Sequence, residues 1–214
     1  MNSTEKALIV RYFPNLTVQQ REQLELLPNL YREWNAKINI ISRKDIDNIV
    51  PNHILHSMSI GLFTGFKDDT QIFDVGTGGG LPGIPLAILF PKCRFTLIDS
   101  IGKKIKVASN IAESIGLSNV ETIQARAEEI KGKKCHFLVS RAAMVMSDLM
   151  KIGTHLVDKR EQFNALPNGV IALKGGDLSE ELRPYHKIAL LEEVSGLIPD
   201  VPFFETKKII YISL

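Results

Sequence analysis

Four glycines fall within five positions, at Gly76 and at residues 78–80, shortly after the acidic residue Asp74. Glycine has no Cβ, so it adopts positive φ angles without strain and lets a ligand approach the backbone closely. The run lies between a predicted strand and a predicted helix, where an α/β sheet offers a binding crevice. We therefore expect residues 74–83 to present backbone amides to a ligand, the alternative being a glycine-rich connection without one.

Two ligand classes fit the spacing of this turn. From Gly78 to Gly83 the residues match G-x-G-x-x-G, the fingerprint of nicotinamide and flavin dinucleotide sites. From Asp74 they match D-x-G-x-G-x-G and resemble the first motif of S-adenosylmethionine-dependent methyltransferases. A carboxylate repels a pyrophosphate, whereas it attracts the ammonium and sulfonium groups of S-adenosylmethionine. Asp74 thus favours that cofactor, with contacts at Asp74, Gly76 and Gly78; the alternative is that Asp74 only braces the loop.

A second acid, Asp99, ends the next predicted strand. An acid at this distance from the glycine turn accepts hydrogen bonds from the ribose hydroxyls of an adenosine. Both cofactor classes use such an acid, so Asp99 supports an adenosine ligand without choosing between them. The alternative is an Asp that opens the following helix together with Ser100.

The elements around these residues alternate between strand and helix. Short apolar runs predict five strands, and helical periodicity covers residues 102–115 and 147–157 between them. The predicted strands are residues 71–75, 95–98, 120–124, 136–140 and 170–174. Such alternation indicates an α/β fold with a mostly parallel sheet. Residues 188–194 and 207–212 predict an antiparallel C-terminal edge pair without a helix between the two strands.

The N-terminal part of the chain is helical in pattern. Thr17 and Gln20 predict a capping box, which opens a helix with an apolar stripe that continues to Ile38. Pro28 is expected to kink or split this helix, and a second helix is predicted over residues 52–63. We expect residues 1–66 to form a helical segment packed on a Rossmann-like domain, residues 67–214, as one structural unit.

The ordered segments of the chain resemble one family, ribosomal RNA small subunit methyltransferase G. They are WNAKINIIS, HILHS, FDVGTGGGLPGIPLAILFP, LIDSIGKK, ARAEE, VSRA and ALKGG. The resemblance implies a class I methyltransferase that methylates N7 of one guanosine in 16S ribosomal RNA. It also implies cofactor contacts at Gly76, Leu81, Ala127, Glu128 and Arg141.

Two segments depart from the pattern of that family. Asn39, Ile40 and Ile41 stand where Asn-Leu-Thr is expected, and Lys207 stands in place of arginine. Both departures concern RNA contacts more than the reaction.

The acceptor chemistry is consistent with guanine N7, which has a lone pair and no proton to lose. Cys93 and Cys135 precede their strands, away from the expected site, so neither is placed as a nucleophile for pyrimidine C5. The Asn/Asp-Pro-Pro-Tyr/Phe motif of amine methyltransferases is replaced by Ser140, Arg141 and Ala142. Arg141 is the candidate catalytic residue: it could donate to guanine O6, stack on the base or hold the cofactor carboxylate. A structural ion pair is its alternative role.

Composition limits the partners. The net charge is +2, so an RNA surface must be a local patch, and basic clusters occur at residues 43–44, 103–106 and 131–134. His53 and His56 lack a third metal ligand, so we expect packing or RNA contact and no metal. The two separated cysteines and the lack of a long apolar run or leader predict a cytosolic protein without a membrane span, which we expect to be a monomer. A methyltransferase of a small molecule or protein, and an NAD-dependent oxidoreductase, are the competing hypotheses.

Overall fold

A computed structural model describes residues 1–141 and 144–214, and its centre is a seven-stranded sheet. The strands are β1 (Gln71–Val75), β2 (Arg94–Asp99), β3 (Val120–Gln124), β4 (Phe137–Ser140), β5 (Gly169–Gly175), β6 (Ala189–Glu193) and β7 (Lys207–Ser213). Their order is β3-β2-β1-β4-β5-β7-β6. All pairs among β1 to β5 are parallel, whereas β7 runs antiparallel to both β5 and β6. The mostly parallel sheet and its antiparallel edge pair are therefore confirmed.

The strand order reverses between β1 and β4. After β1 the chain adds β2 and β3 on one side, then returns to place β4 on the other side of β1. A reversal of this kind separates the two following loops and opens a crevice at the carboxyl ends of the strands. The turn after β1 and the segment after β4 border this crevice. Because β1 and β4 are paired, Asp74 in β1 and Arg141 just after β4 belong to neighbouring parts of the sheet.

Helices cover both faces of the sheet. Successive side chains of a strand point to opposite faces, so the apolar strands need a helix layer on each side and form two cores. One core joins the N-terminal helices to α5 (Gly83–Leu89) and α6 (Gly102–Ser114) through residues such as Leu97. The other core lies against α7 (Met146–Leu156), where Phe73 and Leu138 pack. The predicted helices 102–115 and 147–157 are confirmed to within one residue at each end.

The N-terminal segment begins with α1 (Ser3–Tyr12) and α2 (Val18–Lys37). The predicted capping box of Thr17 and Gln20 is present at the start of α2. Of the two outcomes expected at Pro28, a kink or a split, the split is wrong, since α2 runs through it, and the kink stays a prediction. Pro28 lies on the buried face beside Leu24 and Leu27, and this packing offsets the hydrogen bond that proline cannot donate.

The second predicted helix, residues 52–63, is a succession of short helical pieces. A 3-10 turn at Ile46–Asn48 leads into a π-helical stretch at Ile49–Leu55, followed by α3 (His56–Met58) and α4 (Ile60–Phe63). The helical path thus begins before the predicted residue. Leu27, Tyr31 and Ile54 share one apolar cluster with the sheet. The boundary between residues 66 and 67 stays a prediction.

The connection between β6 and β7 differs from the expected one. A short helix, α8 (Ser179–Leu182), precedes β6, and a second one, α9 (Val194–Leu197), follows β6 and leads to a 3-10 turn at Pro202–Thr206 before β7. The prediction of no helix between the two edge strands is therefore wrong. Val194, Ile198 and Phe204 are buried and anchor this segment, but a four-residue helix is too short to show a period in the sequence. None of the described helices is long and apolar enough to cross a membrane.

Candidate functional site

The turn after β1 has the conformation that its glycines predict. Gly76, Gly78 and Gly80 have φ angles of 71°, 57° and 100°, in the region that favours glycine. Gly79 has a close neighbour instead, because a Cβ there would lie 2.4 Å from Ile40 Cγ2. The carbonyl of Gly79 also accepts a hydrogen bond from the hydroxyl of Tyr31 at 3.1 Å. The N-terminal segment thus helps to shape the turn.

Asp74 lies beneath this turn and is fully buried. Its Oδ2 accepts hydrogen bonds from Thr77 Oγ1 at 2.6 Å and from Gly83 N at 2.8 Å. Its Oδ1 is buried without a hydrogen-bond partner among the described residues. Burial raises the pKa of Asp74 to about 7. This is the bracing role that the sequence left open, while a contact between Asp74 and the cofactor stays a prediction.

Asp99 also contacts the turn, from the end of β2. Its Oδ2 accepts from Gly78 N at 2.9 Å, and its Oδ1 accepts from Ile101 N at 2.9 Å. Asp99 therefore ties β2 to the glycine turn and also to the backbone of Ile101, the residue before α6. A carboxylate has about four lone-pair positions, so these two bonds leave acceptor capacity for ribose hydroxyls.

A cavity of about 140 Å³ opens between the ends of β1, β2 and β3. Four of the predicted cofactor residues line it, namely Gly76, Asp99, Ala127 and Glu128, and Met144 and residues next to these four in the chain complete the wall. Ala127 and Glu128 lie in a 3-10 turn after β3, where the alanine is buried and the glutamate is exposed. The other four, Asp74, Gly78, Leu81 and Arg141, do not line this cavity, and Leu81 is buried beside the turn.

Arg141 lines a different cavity, of about 400 Å³, at the ends of β4 and β5. The wall also includes His53, His56, Lys174, Glu181, Phe203 and Lys207. Lys174 pairs with Glu181 at 2.6 Å and donates to the carbonyl of Met144, which lines the smaller cavity. The two cavities are therefore neighbours along one edge of the sheet. Ala142 of the predicted Ser-Arg-Ala segment lies outside the described residues.

Among the described residues Arg141 forms no salt bridge, so its alternative role as a structural ion pair is not observed there. Arg141 Nη1 donates to Nδ1 of His53 at 2.8 Å, and Nε2 of His53 lies 2.5 Å from Oδ2 of Asp45. Sequence reasoning treated His53 as packing or RNA contact and missed Asp45. No spacing rule links an acid in a loop to a histidine eight positions later, so only the fold reveals this contact.

The cysteines are remote from both cavities. Cys93 and Cys135 are buried and free, and burial raises the pKa of the Cys93 thiol to about 11 and that of the Cys135 thiol further. Both precede their strands, at the amino-terminal edge of the sheet. A further cavity, of about 790 Å³, lies at that same edge, away from the glycine turn. Neither thiol is placed as a nucleophile, as the sequence predicted.

The basic clusters do not all lie on the crevice side. Lys103 and Lys104 lie in the first turn of α6, which follows Asp99. Lys133 instead pairs with Glu121 at the opposite edge, and Lys134 donates to a carbonyl of α7, so these two lysines lie away from the crevice. The chain after the 3-10 turn crosses to the start of β4, which carries these lysines away. Among the described residues, no group of three or more His, Cys, Asp or Glu could hold a metal ion.

Solved structures with the same fold are methyltransferase-like in architecture. A complex of MtNAS with MTA and tNA aligns with a TM-score of 0.59 over 93% of this chain and 75% of that chain, at 14% identity. Aeropyrum pernix fibrillarin, with natively bound S-adenosyl-L-methionine, gives 0.51 over 72% and 73%, at 11% identity. At these identities the likeness concerns the fold alone, which is the predicted class I methyltransferase fold.

Relatives in sequence are much more similar. A protein of Porphyromonas gingivalis named Ribosomal RNA small subunit methyltransferase G is 53% identical over 207 residues, covering 97% of this chain and 93% of that protein. One of the same name from Flavobacterium johnsoniae is 50% identical over 206 residues, covering 96% and 97%. The model of the family described as rRNA small subunit methyltransferase G matches residues 20–199. The chain therefore belongs to the ribosomal RNA small subunit methyltransferase G family.

Proposed function

We propose that this protein is an S-adenosylmethionine-dependent methyltransferase that modifies N7 of a guanosine in 16S ribosomal RNA. The observation that carries the proposal is the crevice at the strand reversal, where Asp99 and the glycine turn border one cavity and Arg141 borders the next. Family membership supplies the RNA substrate class. We further propose that the protein acts in the cytosol, as a monomer without a metal, on the RNA or the small subunit.

The residues present fit this cofactor. The Asp99 carboxylate keeps acceptor capacity for an adenosine ribose, and the Asp74 Oδ1 is a buried acceptor without a partner among the described residues. When bound, S-adenosylmethionine supplies a methyl group already activated by a sulfonium. Gly76, Ala127 and Glu128 would hold it in the smaller cavity, with Gly78 and Leu81 shaping the turn.

The work left to the protein is alignment, since guanine N7 carries no proton that a base must remove. Arg141 would donate to guanine O6 and orient the base with its N7 lone pair free. Burial and the positive charge of Arg141 lower the pKa of both His53 and His56, so neither ring carries charge near neutrality. The protein therefore has to orient the acceptor, and no residue is needed to accept a proton.

Deleting the gene tests the substrate. Ribosomal RNA from cells that lack the protein should lose one 7-methylguanosine from 16S RNA, measured by mass spectrometry of nuclease fragments. Expression of the wild-type chain should restore it, and expression of Asp99→Ala should restore it poorly. An unchanged modification map would contradict the proposed substrate and favour a methyltransferase of a small molecule or protein.

The Asp99→Ala variant tests the cofactor site directly. Removal of a charged acceptor from ligand hydroxyls costs about 1.5–3 kcal/mol, so affinity for S-adenosylmethionine should fall about 10- to 100-fold in calorimetry. The matched control is Asp68→Ala, because Asp68 is an exposed carboxylate paired with Lys92 at the other edge of the sheet. Its affinity should equal that of the wild type. Tight binding of NAD to the wild type would instead support an oxidoreductase.

A further inference from the structure

The Arg141 side chain is held by a chain of hydrogen bonds that leads into the N-terminal segment. Arg141 Nη1 and His53 Nδ1 are 2.8 Å apart, and His53 Nε2 and Asp45 Oδ2 are 2.5 Å apart. The other oxygen of Asp45 accepts from Asn52 Nδ2 at 2.7 Å. Both oxygens of Asp45 are thus engaged, and its carboxylate has a fixed orientation toward the ring.

The direction of each bond follows from donor chemistry. A guanidinium has only donors, so His53 Nδ1 must accept and carry no proton. The single ring proton then resides on Nε2 and is donated to the carboxylate of Asp45. Burial and the charge of Arg141 lower the pKa of His53 to about 4, which keeps the ring in this neutral form near pH 7. The arrangement is therefore a directed relay from guanidinium to imidazole to carboxylate.

The relay orients the Arg141 guanidinium without a carboxylate in direct contact with it. Within the part of the chain that the structure describes, no carboxylate lies within salt-bridge distance of Arg141. A carboxylate in direct contact would neutralise the guanidinium and occupy the donors that face the cavity. A neutral imidazole fixes one N–H and leaves the positive charge in place, while Asp45 stabilises it from one ring further away. The guanidinium is oriented without being neutralised.

We propose that Asp45 and His53 are positioning residues that orient Arg141 toward the larger cavity for methyl transfer. The inference rests on the proposed function, in which Arg141 contacts the acceptor base. It makes the N-terminal segment a working part of the active site, because both positioning residues precede the first strand. Neither residue touches the acceptor in this assignment; both act through Arg141.

Two substitutions of His53 separate the two bonds of the relay. In His53→Asn the amide oxygen reaches the position of Nδ1, so it can still accept from Arg141. In His53→Gln the longer side chain reaches the position of Nε2, so it can donate to Asp45 but leaves Arg141 without its acceptor. We expect kcat to fall by about tenfold or more in His53→Gln, which loses the acceptor of Arg141, and by a smaller factor, about threefold, in His53→Asn, which loses only the bond to Asp45. The KM for S-adenosylmethionine should not change in either variant.

A matched control exists in the same chain. His136 is buried, its Nδ1 accepts from Gln71 N at 2.9 Å, and it lies at the opposite edge of the sheet. His136→Gln should lower the melting temperature and leave kcat unchanged. If His53→Gln keeps the wild-type kcat, or if its loss of kcat follows its loss of stability as in the control, the relay has no positioning role. In an Arg141→Ala background, His53→Gln should cause no further loss.

A second readout does not depend on turnover. Nitrogen NMR of the imidazoles, with His53 assigned from the spectrum of His53→Asn, should show a protonated Nε2 and an unprotonated Nδ1. A protonated Nδ1 would overturn the relay whatever the activity. If the wild type shows this tautomer but does not methylate 16S RNA, the proposed function fails and the relay stands as a structural contact without a positioning role.

Discussion

Replacing Arg141 by alanine is expected to lower kcat/KM for methyl transfer by about 10²- to 10³-fold, the usual effect of removing a preorganised donor from an active site. Affinity for S-adenosylmethionine should change little, because Arg141 lines the larger cavity and not the one at Asp99. Single-turnover kinetics and calorimetry on the same preparations separate the two effects.

The controls for Arg141 are chosen by chemistry and by position. Arg141→Lys keeps the charge but loses the planar donor fork, so it should recover only part of the activity. Arg160→Ala removes an arginine whose side chain is 88% exposed and should be neutral. Turnover within twofold of the wild type in Arg141→Ala would remove Arg141 from the mechanism. A large loss of cofactor affinity would instead assign it to the cofactor carboxylate.

Replacing Asp74 by alanine is expected to destabilise the fold by about 3 kcal/mol, since it orphans two buried donors, the Thr77 hydroxyl and the Gly83 amide. Asp74→Asn keeps an oxygen acceptor for both and should be much milder. Urea denaturation of the two variants and the wild type measures this difference. Equal stability of the alanine and asparagine variants would contradict the bracing role.

The stability of Asp74→Asn relative to that of the wild type is expected to depend on pH, because the pKa of Asp74 is raised in the folded state. Asp74 has a pKa raised to about 7, above the value of an unfolded aspartate, so the folded state binds more protons than the unfolded state between about pH 4 and 7. This contribution to stability is present at low pH and is lost as the pH rises through about 7. The stability of Asp74→Asn relative to the wild type should therefore increase from about pH 4 to 7 and then level off. Parallel curves would mean that the pKa of Asp74 is not raised.

Much of the fold follows from local pattern. The bounds of β1 and β3 coincide with the predicted ones, because each is a short run of strand-forming residues between turns. The antiparallel edge pair was also predicted. The unbroken helix through Pro28 and the short helix α9 were not predicted. Burial against the rest of the molecule decides whether a proline is tolerated inside a helix and whether four residues form one. Local propensity is weaker than such packing.

The candidate site divides along similar lines. Gly76, Asp99, Ala127 and Glu128 were predicted from motifs, and they line one cavity because parallel strands end at the same edge. Asp45 was missed, and His53 was noticed without its role. These residues meet Arg141 only when the N-terminal segment packs against the end of β4.

By itself the sequence determined the α/β class, the glycine turn with its two acids, and the family. Each of these depends on short motifs or local patterns, whose residues are close together along the chain. The tertiary structure decided the rest. It buried Asp74 beneath the turn, put Arg141 in a cavity separate from that of Asp99, and brought Asp45 and His53 to the guanidinium. Contacts between residues far apart in the chain depend on how helices and strands pack, and no local spacing records that packing.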